Sequence, residues 1–565
     1  MAFLLIVIGV IVAVVVVALV VLPSFIDESQ IIALAQEQVR KATGGELSVE
    51  GETQLSLIPQ IVIVLGDTTI DLPPQGQDSG RILAEVGTID IGISPWSLLM
   101  GDTEVGRVAL NNTEVTLFDV DGAVATQLTL KEIVAEGLNT ANSPMGLRAE
   151  LALANLDGGE PIVVTMKGTV RVPKDLDRIS IDKLQTDVDG ALTERIRTTL
   201  SGTVMLSPVE ATLDLVANLP GGDIDGDLVY AAQQSPQIDL TFSSEQLDLD
   251  KISPVSSTAE TDTAQDSGIK PPPIPVPVGP LRDLDMRLAV TANSLISNGQ
   301  EITGAQLLMR VVNGVSDLKY LRGVLHGGQL DTNMVIDARK PVIEVSLAGG
   351  LSGFNIDSLM TSLDSPDTAR GRVDMTWDVD TQGTTSEDLK LGLDGDVNVT
   401  GSNVEILSVS AQGEMCRAIA QVNAESLTAD MPTTTKVTAL GGRIAFDNGQ
   451  AQLKTFNVAT PGLVMQGSGA ASLDDLTFAL TVNASVNKEL EELDRACRIE
   501  ERYIAVKWPV QCSGNLMDEP SEWCRIDTDS IVKQMLQYEA KSKLQREADK
   551  LGRDAGKALK KLFGN

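Results

Sequence analysis

Apolar and polar residues alternate along most of the chain, in short runs that are separated by Gly, Asn and Asp. In residues 371–380, apolar side chains occupy every second position and Arg, Asp or Thr stands between them. A period of two predicts β-strands with one apolar face and one polar face. In the three clearest runs the apolar positions are Ile238, Leu240 and Phe242; Val373, Met375, Trp377 and Val379; and Phe478, Leu480 and Val482.

Such a sheet needs something to cover its apolar face, because few helices are predicted beside it. A second sheet, a curl of the same sheet or an apolar ligand each satisfies this need, and alternation alone does not choose among them. The pattern therefore predicts a mainly β fold whose apolar face is either packed shut or open to a ligand.

Residues 3–22, which begin at Phe3 and end at Leu22, are uncharged and apolar. A helix of about twenty residues spans roughly 30 Å, the thickness of a bilayer core. A cleavable signal peptide has a shorter apolar stretch. We therefore predict a transmembrane anchor over residues 1–26. Asp27 and Glu28 follow it directly and favour an orientation with the remaining chain outside the cytoplasm.

Four further helices are predicted: residues 27–42, 356–363, 405–425 and 529–563. The last carries nine basic and five acidic residues. Its apolar positions recur at steps of three and four and form a stripe, namely Leu544, Ala548, Leu551, Ala555, Ala558 and Leu562. Docking on the protein body through this stripe is the favoured interpretation, and contact with anionic lipid headgroups or an acidic partner is the alternative.

The β pattern is interrupted at residues 256–280, where a polar stretch precedes KPPPIPVPVGP. Proline-rich sequence favours an extended polyproline II conformation. We interpret this segment as a linker or long loop between two β regions, 27–255 and 281–526. Residues 527–565 then form the C-terminal amphipathic helix.

Charge and composition restrict the function. The chain has 565 residues and a net charge of −34, which repels nucleic acid. His326 is the one histidine, so His-rich metal sites are excluded, and neither a P-loop nor a GxSxG motif is present. The Asp-x-Asp-Gly runs at 119–122, 187–190 and 223–226 lack a complete calcium-loop pattern and predict hairpin turns. We expect no enzyme activity, no cofactor and no metal.

The four cysteines are Cys416, Cys497, Cys512 and Cys524. An even number of cysteines in a noncytoplasmic region predicts two disulfides, for which three pairings are open.

Several segments together resemble the AsmA family. They include KATGGELSVEG at 41–51, IGISPWSLLMGDTEVGRVALNNTEVTLF at 91–118, RGVLHGGQLDTNMVIDA at 322–338, the stretch 440–482, YIAVKWPVQCSG at 503–514 and WCRID at 523–527. The order of these weak motifs carries the resemblance. It implies a bacterial inner-membrane protein whose body lies in the periplasm and supports outer-membrane biogenesis. It further implies an elongated, curled antiparallel sheet with a taco-like apolar groove, as in bridge-like lipid transfer proteins.

The expected function is therefore transfer of phospholipids between the inner and outer membranes, or regulation of that transfer. Acyl chains would lie against the apolar face. The alternative is an assembly factor that acts with outer-membrane or other envelope proteins and whose apolar face is packed shut.

Overall fold

The computed structural model describes residues 36–37, 40, 45–56, 61–73, 81–93, 105–118, 124–138, 143–153, 162–173, 177–190, 195–206, 208–252, 281–282, 284–362, 368–407, 409–516, 523–526 and 528–562. The predicted anchor at 3–22 lies outside these residues, as does the helix predicted at 27–42 except for helical Gln36, Glu37 and Arg40. Within the described ranges, every helix is too short or too polar to cross a bilayer. The described chain divides into two compact units, which we treat separately.

Unit 1 comprises Met1–Ser267 and Met286–Asn298. Its elements are β1 (Glu46–Val49), β2 (Thr53–Ser56), β3 (Ile61–Leu72), β4 (Ile82–Ile93), β5 (Val105–Phe118), β6 (Val124–Glu136), β7 (Met145–Leu153), β8 (Ile162–Arg171), β9 (Arg178–Asp189), β10 (Ile196–Leu206), β11 (Val209–Leu219), β12 (Gly222–Ala231), β13 (Ile238–Asp248), α1 (Leu249–Ile252) and β14 (Met286–Ser297). Both β1 and β2 pair with β3, and each strand from β3 to β12 pairs antiparallel with the next.

The last pair of unit 1 departs from the antiparallel arrangement predicted from the sequence. β13 and β14 run parallel, with Ile238 opposite Met286 and Leu240 opposite Leu288. Parallel neighbours require a long connection, because the chain must return to the same end of the sheet. Residues 249–285 make that connection, and they contain the proline-rich stretch.

Unit 2 comprises Gly268–Asp285 and Gly299–Asn565. Its strands are β15 (Gln300–Val312), β16 (Val315–Leu325), β17 (Gly328–Asp337), β18 (Ile343–Asn355), β19 (Ala369–Gly383), β20 (Asp394–Ile406), β21 (Thr435–Val437), β22 (Ala439–Asp447), β23 (Gln450–Thr460), β24 (Leu463–Ser472), β25 (Thr477–Val486), β26 (Trp508–Asn515) and β27 (Cys524–Ile526). They pair antiparallel in chain order, and β20 pairs with both β21 and β22.

Tight turns in unit 2 set the strand register. Asn313-Gly314, His326-Gly327 and Asn448-Gly449 each connect two strands and have positive φ at both residues. This conformation matches the twist of the flanking strands and favours Asn followed by Gly.

Short helices interrupt the strands of unit 2: α2 (Ile356–Ser362), α3 (Ser386–Leu391), α4 (Ala411–Asn423), the 3-10 helices η1 (Lys488–Glu492) and η2 (Arg495–Cys497), α5 (Glu501–Ile504) and the long α6 (Thr528–Leu562). The helices predicted near 356–363 and 529–563 are confirmed. The helix predicted at 405–425 begins later, because Glu405 and Ile406 belong to β20. Its start is fixed by Ser410, whose hydroxyl accepts a hydrogen bond from the Gly413 amide at 3.0 Å.

The prediction of hairpin turns at the Asp-x-Asp-Gly runs is wrong at 223–226, which lies inside β12. The turn into this strand falls earlier, at Pro220 and Gly221, where Leu219 pairs with Gly222. Asp223 and Asp225 are exposed on the polar face of β12. The run at 187–190 ends β9, and the run at 119–122 lies outside the described residues. The mainly β fold with a few short helices is confirmed.

Candidate functional site

Strand β19 in unit 2 shows the predicted two-faced pattern most clearly. Val373 is buried, and Met375, Trp377 and Val379 are half-buried. The intervening residues Asp374, Thr376, Asp378 and Asp380 are exposed. The four predicted apolar positions therefore share one face of the sheet, which is shielded from water only in part.

The neighbouring strands continue this face. Met375 lies opposite Leu351 of β18 and Val399 of β20, and Val373 lies opposite Phe354. We call the resulting cluster the unit 2 face. Its buried members are Leu330, Leu351, Phe354, Val373, Val404, Val437 and Val458. Met375, Trp377, Val399 and Phe456 are among the partly buried side chains packed against them.

Trp377 is the one large polar-tipped side chain on the unit 2 face. Gly349 of β18 and Val397 of β20 lie opposite it in register. Its indole nitrogen Nε1 is buried and has no hydrogen-bond acceptor among the described residues. A buried donor without an acceptor costs about 1–3 kcal/mol, so the indole N–H of Trp377 lowers the stability of this part of the sheet.

Unit 1 carries an apolar face of its own. On β13, Leu240 is buried, and Ile238 and Phe242 are half-buried. Leu240 lies between Leu228 of β12 and Leu288 of β14, and Phe242 lies opposite Gly226 and Val290. A larger apolar cluster covers β4 to β9: Ala84, Val86, Leu110, Val115, Leu128, Leu130, Ile133, Ala149, Leu151, Met166 and Leu184. These residues are not among the predicted lipid-facing positions, although the same alternation marks their strands.

Strand β25 places Phe478 and Leu480 half-buried and Val482 buried on one face, as their spacing predicts. Ala484 and Val486 continue this face and are buried. They pack with Met415 and Ile419 of α4, with Leu490 of η1, and with Tyr503, Trp508, Ile531 and Met535. We call this group the helical cap. It covers the apolar face of the sheet at the C-terminal end of unit 2.

The four cysteines form two disulfides in unit 2. Cys416 of α4 pairs with Cys497 of η2, with 5.0 Å between the Cα atoms, and fastens two parts of the helical cap. Cys512 pairs with Cys524, which lies directly opposite it on β27. Of the three pairings left open by the sequence, the structure thus selects one.

Asp494 caps η2 and also holds the segment after α4 in place. Its carboxylate accepts hydrogen bonds from the amides of Thr428, Ala429 and Ala496 at 2.7, 2.6 and 2.7 Å, and from the Thr428 hydroxyl at 3.0 Å. These donors favour the ionised form, so the pKa of the Asp494 carboxyl lies well below its usual range.

Ion pairs line the polar face of both units. In unit 2, Arg443 Nη2 lies 2.8 Å from Asp396 Oδ2, and this contact lowers the pKa of Asp396. In unit 1, Arg197 Nε lies 2.6 Å from Asp187 Oδ1. Exposed pairs of this kind contribute little to stability, and they mark these faces as solvated.

His326 lies in the turn between β16 and β17. Its Nδ1 atom is 3.0 Å from the hydroxyl of Ser358 in α2, and its carbonyl accepts a hydrogen bond from the Asn355 amide at 2.8 Å. Burial lowers the pKa of the imidazole, so the ring is neutral at pH 7. These contacts hold α2 against the hairpin, so His326 stabilises the local fold.

Comparison with known proteins identifies the family. The sequence model of the AsmA family matches residues 1–144 and 116–456. Protein AsmA of Escherichia coli (strain K12) is 20% identical over 373 residues, which cover 62% of this chain and 58% of that protein. The family match extends over most of the chain and includes the apolar face of unit 1 and every buried member of the unit 2 face except Val458. The chain therefore belongs to the AsmA family.

Proposed function

We propose that this protein carries phospholipids, or regulates their passage, between the inner and outer membranes of a bacterial envelope. In this proposal, acyl chains lie against the apolar faces of the two units while the headgroups remain in water. The observation that carries it is the partial shielding of Met375, Trp377 and Val379 on a face that continues onto the neighbouring strands. Each methylene that moves from water onto such a face contributes about 0.8 kcal/mol.

The sheet architecture supports an accessible face. Within each unit, the described strands pair in a continuous series, and a packed sandwich needs a second sheet to seal the first. Side chains sealed between two sheets lose nearly all of their exposure, whereas Met375, Phe242 and Leu480 keep part of theirs. An acyl chain is a suitable covering for such residues.

We also propose that the protein lies in the bacterial cell envelope. Membership of the AsmA family is associated with outer-membrane assembly and suggests an envelope protein. The disulfides Cys416–Cys497 and Cys512–Cys524 suit an oxidising compartment such as the periplasm. The anchor proposed from the sequence, Phe3 to Leu22, would hold the chain in the inner membrane.

The mechanism is a physical partition, and it requires no catalytic residue, cofactor or metal. Acyl chains exchange one apolar surface for another, so the free-energy cost of leaving a bilayer falls as the area of contact between the chains and the face rises. In unit 2 the proposed lipid surface excludes the positions beneath the helical cap, which are Leu463 of β24 and Ala484 and Val486 of β25.

Photocrosslinking in cells tests this function. A photoreactive amino acid replaces Met375 or Phe242 on the apolar faces, and Thr376 or Ser243 serves as the matched neighbour on the polar face. A third position, Ala484, lies beneath the helical cap and controls for a packed apolar site. We expect phospholipid adducts at Met375 and Phe242, none at Thr376 or Ser243, and protein crosslinks alone at Ala484.

The same experiment distinguishes the alternative. If Met375 and Phe242 give only crosslinks within the protein, as Ala484 does, the faces are packed shut and the lipid proposal is wrong. Crosslinks to outer-membrane or envelope proteins at these positions would instead favour an assembly factor.

A further inference from the structure

Helix α6 is attached to unit 2 only through its first turns, as far as the described residues show. Ile531 and Met535 are 1% and 7% exposed and belong to the helical cap. Nearby, Arg502 Nη1 lies 3.1 Å from Glu539 Oε1, and the Lys507 amide donates to Gln534 Oε1 at 3.2 Å. The attachment therefore ends near Glu539.

The apolar stripe of α6 lies beyond this attachment and does not dock. Leu544 and Leu551 are 68% and 72% exposed, and Ala548 is exposed as well. The favoured sequence interpretation, in which the stripe packs on the body, is thus wrong for these three residues. Beyond Glu539, the side-chain hydrogen bonds seen in α6 stay within the helix, such as that from Arg546 Nε to the Ser542 carbonyl.

Helix geometry explains why the stripe remains uncovered. Leu544 follows Met535 by nine residues, which is two and a half turns at 3.6 residues per turn, so the two side chains point to opposite sides. Leu551 follows Leu544 by seven residues, about two turns, and lies on the same side as Leu544. A straight helix that buries Ile531 and Met535 against unit 2 must therefore direct Leu544 and Leu551 away from it.

The charge of this segment contrasts with the remainder of the chain. Residues 541–557 contain six basic side chains, Lys541, Lys543, Arg546, Lys550, Arg553 and Lys557, and three acidic ones, Glu547, Asp549 and Asp554. All six basic side chains are exposed. A segment of net charge +3 thus projects from a protein of net charge −34.

We propose that residues 541–557 of α6 bind the surface of an anionic phospholipid bilayer. Leu544, Ala548 and Leu551 would enter the interface, and the Lys and Arg side chains on the flanks and the opposite side would attract the anionic headgroups. An exposed leucine stripe combined with excess basic charge is the pattern of an interfacial amphipathic helix. Each basic residue near such a surface contributes about 1 kcal/mol.

The positive charge of residues 541–557 favours binding to an anionic bilayer over binding to a second copy of this helix. Two copies of a segment with net charge +3 repel each other, whereas an anionic surface attracts each copy. Two leucines and one alanine also present little area compared with the roughly 1,200–2,000 Å² that a stable protein interface buries. This inference is independent of lipid transport on the sheet, since it concerns only a surface of α6.

Vesicle capture by the full chain tests the proposal. The purified protein is inserted into phosphatidylcholine vesicles, which then capture fluorescent vesicles of phosphatidylcholine with or without phosphatidylglycerol. We expect that only the anionic vesicles are captured and that added salt weakens this capture. The variant Leu544→Gln/Leu551→Gln should lower the apparent affinity about tenfold, because it removes the two largest exposed apolar contacts.

Matched variants make the result specific. Val216→Gln/Val229→Gln removes two apolar side chains of 43% and 41% exposure from unit 1 and should leave capture unchanged. Lys550→Gln/Arg553→Gln should weaken capture and reduce its salt dependence. Since all these side chains are exposed, the melting temperature should not change in any variant.

Three results would overturn the proposal. They are equal capture of neutral and anionic vesicles, unchanged capture by the leucine variant, and absence of capture by the parent protein. A photoreactive group at Leu544 that crosslinks mainly to a second copy of α6 would also exclude the bilayer as the occupant.

Discussion

The disulfide between Cys416 and Cys497 joins helix α4 to the 3-10 helix η2 across 81 residues of sequence. Five strands of the sheet, β21 to β25, are formed within that span, so the bond links parts of the helical cap that are distant in sequence. Cys512 and Cys524, in contrast, are separated by only 12 residues and lie on neighbouring strands.

This difference in loop length predicts that the first disulfide stabilises the fold more than the second. In the chain-entropy view, a disulfide that closes a loop of about 80 residues stabilises by about 4.5 kcal/mol and one that closes about 12 residues by about 3 kcal/mol. Cys416→Ser/Cys497→Ser should therefore lower the free energy of unfolding more than Cys512→Ser/Cys524→Ser. Guanidinium denaturation followed by tryptophan fluorescence measures both losses, and the reverse order would contradict the prediction.

Asp494 should make unit 2 sensitive to acid. Its pKa is lower in the folded protein than in the unfolded chain, where an aspartate has a pKa of about 3.9. Its contribution to stability is therefore complete above about pH 4 and is lost as the pH falls towards the folded-state value. Asp494→Asn should lower the denaturation midpoint at pH 7 and flatten its pH dependence below pH 4.

The control for Asp494 is another aspartate with a lowered pKa. Arg339 lowers the pKa of Asp337 to about 2 at an exposed strand end. Asp337→Asn should change the denaturation midpoint less than Asp494→Asn, because solvent screens that ion pair. Equal effects of the two substitutions would show that the hydrogen bonds of Asp494 have no special importance.

Thr113 is a polar residue in an apolar cluster of unit 1. It is 3% exposed, it lies between Val86 and Leu130 in register, and its hydroxyl has no partner among the described residues. Valine has nearly the same shape and no hydroxyl, so Thr113→Val should raise the free energy of unfolding by about 1–3 kcal/mol. Thr129→Val, at an exposed position on the other face of the sheet, should change it by less than about 0.5 kcal/mol. A loss of stability in Thr113→Val, measured by denaturation, would contradict this account.

A charge on the apolar faces should reduce lipid binding. Met375→Lys and Phe242→Lys place an ammonium group where acyl chains are proposed to lie, whereas Thr376→Lys and Ser243→Lys place it in water. We expect several-fold less phospholipid to copurify with the first pair, measured by mass spectrometry of lipid extracts from proteins with unchanged melting temperature. Equal lipid content in all four variants would count against lipid binding on these faces.

Alternation in the sequence predicted the two faces of β19 residue by residue, because a period of two fixes which side chains share a side. The same alternation says nothing about strand direction, so the parallel pairing of β13 with β14 was not predictable. The turn predicted at Asp223 and Asp225 is wrong because Asp and Gly occur both in turns and on the solvated side of a strand.

Other features depend on tertiary contacts that no local pattern encodes. The spacing of the cysteines left three pairings open, and the choice follows from where α4 meets η2. The sequence shows the stripe of α6, but the exposure of the stripe depends on Ile531 and Met535, which dock the opposite side of the helix. The unpaired indole of Trp377 likewise depends on its neighbours across two strands.

The parallel pairing of β13 and β14 sets an order of events during synthesis. From β3 to β13, each strand pairs with the strand made just before it, so unit 1 can grow as the chain emerges. β13 must then wait for its next neighbour until residues 249–285 have been made, which takes roughly 2–8 s at roughly 5–20 residues per second. Throughout that interval, β13 is an open edge strand of the nascent protein, available to any other strand that meets it.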